Sequence, residues 1–457
     1  MAHFFDVPYF KKEVITMKKI IIFLTSLLLI FALASCKNDT TTKDNNNENM
    51  YSLPDLYNKT LVEAIVLTNG NIELSPNYIE SNKVLPDRII SYSEKEVGNK
   101  VEVGSTVKID IAKIPSNAVT HSDRVLYVSE VSALTGPKSK ENDAFLESHS
   151  INRTDLGFPV ELPDKRMAFI FGDSYSARPE SRWISNFIAF TDDNDYSDGL
   201  TFNDILTDDT GKAIAFYEGE HTKGNETDNT VENTKIPTGV ITIGNTTYIY
   251  YMSIRYWGEA GMWKVNYCSA VKTTDMKTFT PLDNLKWTEE EAPNFGQISP
   301  MKDINSDYVY IYGIPGGRSG GGMTGRVKES DIEDFSKYEY QVSKGVWVKG
   351  SEGLRMLKAN EYYTIIPRVA ELTACFNPYL NKYMMIFYRN GSLVMVTSDT
   401  PDGVYGDAVA LLNQTDYNGI YGGLISSAML RDNGKSFYMT VSCWEDYNVF
   451  LVKVVLK

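Results

Sequence analysis

The sequence is short of the residues that build metal centres and covalent cross-links. Four cysteines and four histidines are spread over 457 residues. No CxxC pair or Cys/His spacing of a zinc site occurs, and His121, His149 and His221 form no constellation. Strongly basic stretches are missing as well. With a formal net charge of -14 the chain repels phosphate backbones, which argues against a nucleic-acid partner. The glycine-rich "GGRSGGGMTG" (316–325) lacks the Lys-Ser/Thr ending and following helix of a phosphate loop, and reads as a loop at a channel mouth. The acidic "DDNDYSDG" (192–199) misses the spacing of a calcium-binding EF-hand and reads as a turn. No metal and no cofactor is expected. Helical periodicity is also scarce, whereas 29 tyrosines and 20 phenylalanines favour strands.

Among the features present, targeting is the clearest. "MKKIIIFLTSLLLIFALASC" (17–36) has two lysines, a short apolar core and small residues at its exit, as a secretory signal peptide does. The apolar run is short for a transmembrane anchor. Its "LASC" ending resembles the lipobox of bacterial lipoproteins, which implies lipidation at Cys36 and an extracytoplasmic, membrane-anchored protein. Residues 1–16 precede a complete signal peptide, as a start codon assigned too early would leave them. With Cys36 lipidated, Cys268, Cys375 and Cys443 remain. They lie far apart in apolar stretches and are odd in number, so buried free thiols are expected. Residues 37–50 are polar and read as a flexible linker.

Residues 51–114 read as a small α+β unit. "TLVEAIVLTNG" is a helix with Thr60 and Glu63 as a capping box and Gly70 at its C-terminal end. "KVEVGSTVKIDIAK" alternates like two strands around a turn. The order "LPDLYNKTLVEA…RIISYSEKEVGNKVEVGSTVKIDI" resembles a PASTA domain, with Asn58 in place of the usual glycine before the helix. That resemblance implies either peptidoglycan binding or a spacer.

From 118 to 457 strand pairs recur around turn residues. These are Pro163-Asp164, Gly244-Asn245, Asn305-Ser306, Asn381, Asn390-Gly391 and Asn433-Gly434. Second strands are expected near Met167, Thr247, Asp307, Tyr383 and Ser436. The fold class is therefore mainly β, a five-bladed β-propeller behind the small domain, with a β-sandwich as the competitor.

A propeller brings the start of each blade's first strand and the end of its second to one face. In "TDLGFPVELPDKRMAFIFGDSYS" (154–176), pairing Leu162 with Met167 puts Asp155 nearly opposite Ser174, beside Asp173. Both carboxylates then stand at one mouth. Glu371, Arg255, Trp257, Arg318, Arg389 and Trp444 occupy equivalent strand ends. Acids, arginines and tryptophans gathered on an apolar scaffold suit a sugar site, with indoles stacking on rings and two carboxylates sharing acid and base or nucleophile roles. Each aspartate also has a plain alternative as a turn cap.

The motifs "TDLGFPVE", "FIFGDSYS", "RWISNFIAF", "GGRSGGGMTGRV", "ELTACFNPYLNKYMMIFY", "TSDTPDGVYGD" and "VSCWEDYNVFLVKV" resemble the domain-of-unknown-function family 4185. The resemblance implies a five-bladed propeller, and some members are endo-D-arabinanases. It places the acidic pair at Asp155 and Asp173, with Ser174 where threonine is usual. Arg182 and Asn186 of "RWISNF" join the substrate-binding candidates. The resulting expectation is an anchored glycosidase acting on a furanose-containing cell-wall or surface glycan. Asp155 and Asp173 are its acids and Glu371 a third candidate. The alternative is a non-catalytic glycan- or peptidoglycan-binding lipoprotein.

Overall fold

A computed structural model describes residues 49–93, 98–176, 182–318, 320–359 and 363–457. Cys36, the signal segment 17–36 and residues 37–48 of the linker lie outside the described residues.

The small unit forms around the helix Leu61–Thr68. Thr60 and Glu63 make the expected reciprocal cap: the Thr60 N–H donates to the Glu63 carboxylate at 2.7 Å, and the Glu63 N–H donates to Thr60 Oγ1 at 3.2 Å. Asn69, one residue before Gly70, takes the left-handed C-cap position. The turn at Gly104 does not close a hairpin. Lys100–Glu102 pairs with Met50–Ser52 instead, while Thr106–Lys113 runs parallel to Glu73–Glu80 and antiparallel to Ile89–Tyr92. The two strands diverge because Val107, Ile109 and Ile111 serve the core under the helix, and the shorter strand closes over it through Val101.

The rest is mainly β. Five antiparallel sheets follow one another in the chain. Their first strands are Leu156–Glu161, Thr234–Ile243, Gln297–Lys302, Leu372–Asn377 and Ile420–Leu424. Each of these touches the next, and the fifth touches the first. Second strands begin at Met167, Thr246, Tyr308, Lys382 and Ser436, each at or within one residue of expectation. The fifth sheet takes its outer strand from the other end of the chain: Val125–Ala133 pairs with Asn448–Leu456.

Packing follows the same cycle, one apolar cluster per neighbouring pair of sheets. Phe158 and Ile170 meet Ile249 and Val265. Tyr250 and Cys268 meet Val309 and Tyr340. Tyr312 meets Met385, Met384 meets Val441, and Leu451 meets Phe169. Strands buried on both faces explain the near-continuous apolar runs of the sequence. Cys268, Cys375 and Cys443 are free and buried in these layers. The small unit sits against the fifth sheet. Asn82 accepts from Ser129 and, through its carbonyl, from Tyr438 and the buried Lys453.

Candidate active site

All five first strands run the same way, so their starting residues share one end. A cleft of about 600 Å³ opens there, lined by Asp155, Asp173, Arg153, Tyr175, Trp257, Trp263, Arg318, Tyr421, Trp444 and Tyr447. Behind it, sharing Asp155, Arg318 and Tyr421 with the cleft, lies a recess of about 50 Å³ reaching Gln297 and Glu371. A larger hollow of about 870 Å³ occupies the opposite strand ends. Of its carboxylates, Glu161, Asp307 and Glu329 are ion-paired to Lys165, Lys328 and Lys302, and buried Asp303 accepts from the Tyr383 and Ser306 hydroxyls.

The hairpin carrying the two aspartates differs from expectation in register. Its turn spans four residues from Leu162, whose N–H donates to the Arg166 carbonyl at 2.9 Å, with Lys165 at φ 74°. A bulge then falls between Leu156 and Phe158, with Leu156 at φ 66° and Gly157 at φ 82°. The two shifts add, so Asp155 faces Gly172 and not Ser174; the Gly172 N–H donates to the Asp155 carbonyl at 3.2 Å. A leucine in the left-handed region costs about 1–3 kcal/mol. Its N–H is held by Ser442 Oγ at 2.9 Å. Glycine at 172 is required for space: a Cβ there would lie 2.3 Å from Asp155 Oδ1. Ser174 keeps the bond a threonine would make, 2.7 Å from Thr154 Oγ1.

Asp173 is 4% exposed. Its Oδ1 accepts from Thr234 Oγ1 at 2.6 Å and Trp183 Nε1 at 2.8 Å. Asp155 Oδ2 accepts from the Tyr421 hydroxyl at 2.5 Å, and its Oδ1 has no hydrogen-bond partner among the described residues. Burial pushes both carboxyls up. Asp155 reaches about 7, against the Tyr421 hydrogen bond and with the Glu371 charge adding to the rise. Asp173 reaches about 8, against the bonds from Thr234 and Trp183. Two carboxyls titrating near neutrality in one cleft can donate and accept protons there.

Three other candidates reach this cleft. Trp257 and Trp444 line it at 38% and 55% exposure, open enough for a ring to stack. Arg318 lies between Tyr421 and Trp263, 4.4 and 5.1 Å from their ring centroids. Glu371 lines the recess behind and not the open cleft. Arg318 grips it with Nε at 3.0 Å and Nη2 at 2.7 Å, and this two-pronged contact positions Arg318 at the back of the cleft.

The remaining candidates are occupied elsewhere. Asn186 donates to the Tyr217 and Lys235 carbonyls and accepts from the Phe216 and Tyr217 N–H groups, stitching backbone in the interior. Buried Arg255 bonds the Glu226 and Val265 carbonyls and pairs with Glu289. Arg389 bonds the Pro367 and Arg368 carbonyls, because the tight Asn390-Gly391 turn carries it past the mouth. Arg182 lies outside the cleft lining.

Sequence reasoning missed Arg153, Tyr175, Trp263, Tyr421 and Tyr447. Tyr421 starts a first strand and was reachable by the strand-end rule. His221 was also passed over. Its ring centroid lies 4.0 Å from that of Trp183, and its Nε2 is 2.8 Å from Glu218 Oε1, which extends the Asp173 network outward.

The chain belongs to the family described as Domain of unknown function (DUF4185), whose model matches residues 141–453. No curated protein matches the sequence. Among solved structures it is similar to a protein from Bacteroides ovatus described as a candidate hydrolase, at 16% identity and TM-score 0.53, covering 75% of this chain and 95% of that one. That similarity establishes shared fold. Looser likenesses include an arabinanase from Bacillus subtilis (9% identity, TM-score 0.38, 64% and 91% covered) and a GH43_1 enzyme from Xanthomonas citri (11%, 0.40, 70% and 90%). Neither superposes closely enough to carry an argument.

Proposed function

We propose that this protein is a glycoside hydrolase acting on a furanose-containing cell-wall or surface glycan. In this reading the five sheets are the blades of a β-propeller, residues 118–457 are one domain, and the PASTA-like unit spaces it from a membrane anchored through Cys36. The observation that carries the activity is the pair of near-neutral carboxyls, Asp155 and Asp173, in one cleft walled by Trp257, Trp263 and Trp444. Asp173 is assigned as the proton donor because it is the more buried of the two, and burial keeps its proton in place near neutrality. It gives its proton to the oxygen of the departing sugar. Asp155, the less buried of the two and held by the Tyr421 hydroxyl, serves as the carboxylate that activates water or attacks the anomeric carbon. The exposed indoles offer stacking faces to neighbouring sugars.

The test is release of reducing ends from a panel of cell-wall polysaccharides, arabinans included, by the soluble chain from Lys37 onward. Asp155→Asn and Asp173→Asn should each lower turnover by about 10²–10⁴-fold with the thermal midpoint retained. Intact turnover in both variants overturns the catalytic assignment. Binding of a glycan by the unaltered protein, with no cleavage anywhere in the panel, would make it the glycan-binding lipoprotein instead.

A further inference from the structure

The helix Leu61–Thr68 packs inward on a narrow stripe, with Ala64 and Thr68 buried. Its outward side carries Val62, Ile65, Val66 and Leu67 at 69%, 54%, 71% and 43% exposure, and Glu63 as its charge. A helix apolar around most of its circumference belongs in a buried or membrane setting. Among the described residues nothing covers this face. The entry point of the chain indicates what does. The Tyr51 hydroxyl donates to the Leu67 carbonyl at 3.1 Å, and the Val103 N–H donates to the Asn49 carbonyl at 2.9 Å. The chain therefore enters beside the C-terminal end of the helix. Twelve residues, 37–48, separate Asn49 from Cys36. Over that length a chain reaches at most about 45 Å.

We propose that this face docks on the lipid bilayer, as a second membrane contact beside the acyl chains on Cys36. The inference rests on the anchoring proposed above. Short apolar faces seat at the boundary between headgroups and acyl chains, and one weak membrane signal commonly needs a second. A chain of net charge -14 is repelled by anionic lipid, so the attraction is apolar, and salt, which screens the repulsion, does not weaken it. A second copy fits less well, because an eight-residue helix offers far less than the roughly 800 Å² per partner of a stable interface.

The test uses the lipidated full chain with Val66→Cys bearing an environment-sensitive maleimide dye; Cys268, Cys375 and Cys443 are buried and resist labelling. On phosphatidylcholine–phosphatidylglycerol vesicles the protein should float and the dye emission should shift to the blue, by no less in high salt than in low. Adding Val62→Glu and Ile65→Glu should abolish the shift and leave flotation intact. Flotation without a shift overturns the docking alone. Failure to float overturns the anchoring, and the docking with it, and leaves the glycosidase reading untouched. A shift in vesicle-free Cys36→Ser protein that grows with protein concentration assigns the face to a second copy and overturns the proposal.

Discussion

At the scale of single residues, the candidate site depends on one missing side chain. Gly172 has no left-handed backbone to excuse it; it is small because Asp155 Oδ1 lies over it. Gly172→Ala should therefore displace the Asp155 carboxyl, lowering turnover by at least about tenfold and costing on the order of 1–3 kcal/mol as overpacking. Paired measurements of thermal midpoint and turnover check this, and a loss of stability with turnover per folded molecule intact would refute it. Tyr421→Phe probes the neighbouring bond. The hydroxyl favours the ionised carboxylate of Asp155, so its removal should move the acidic limb of the kcat/KM profile to higher pH while the fold persists. An unmoved limb would mean Asp155 is not the group titrating there. The legible part of this site was the part set by strand ends: Asp155, Asp173, Trp257, Arg318 and Trp444 could be placed by counting from turns. Tyr421 and Tyr447 could not be picked out by type, because tyrosine also fills every apolar layer. The same counting also brought in Arg255 and Arg389, which bond backbone carbonyls, and Asn186 came from its motif alone. Polar groups in an apolar stretch look like site residues until the buried carbonyls they satisfy are seen.

At the scale of elements, turn chemistry made the hairpins legible and left their registers open. Asn-Gly and Gly-Asn dipeptides fixed where strands reverse, but the Lys165 turn and the Gly157 bulge each moved pairing by one residue. No local pattern revealed that Val125–Ala133 would cross to the end of the chain. Yet that strand covers Asn448–Leu456, whose side chains are all buried. The family match begins at residue 141, after it. A chain beginning at 141 should thus expose a long apolar edge and aggregate, whereas one beginning at Ala118 should fold. The shorter loss in the second case is the Asn82 contact. Burial beside it lowers the Lys453 ammonium to about 8, and exposure to water would restore its ordinary value. Its thermal midpoint should fall by only a few degrees, roughly. Soluble yield and cooperative melting of the two chains, compared side by side, decide the matter. A molten chain from Ala118 would move the domain boundary toward the N-terminus.

At the scale of the whole molecule, the two aspartates link stability to function through pH. Their folded values, about 7 and about 8, lie well above the roughly 3.9 of an unfolded aspartate. Below pH 4 both states hold the protons and the contribution to stability is complete. As pH rises from about 4 to about 8 the unfolded chain releases them first, so that contribution is lost, on the order of 10 kcal/mol at most. Asp155→Asn combined with Asp173→Asn should then match the unaltered protein near pH 4 and be the more stable of the two at pH 8.5, as measured by urea midpoints. A turn-capping role predicts the reverse, with the unaltered protein more stable at high pH, because an ionised cap would hold its pKa down. The same titrations bound activity. The pair should give a bell-shaped kcat/KM profile with limbs near pH 7 and pH 8, which belong to the two carboxyls jointly. The urea midpoints and the kcat/KM profile thus test one assignment, the raised pair Asp155 and Asp173, by two independent measurements.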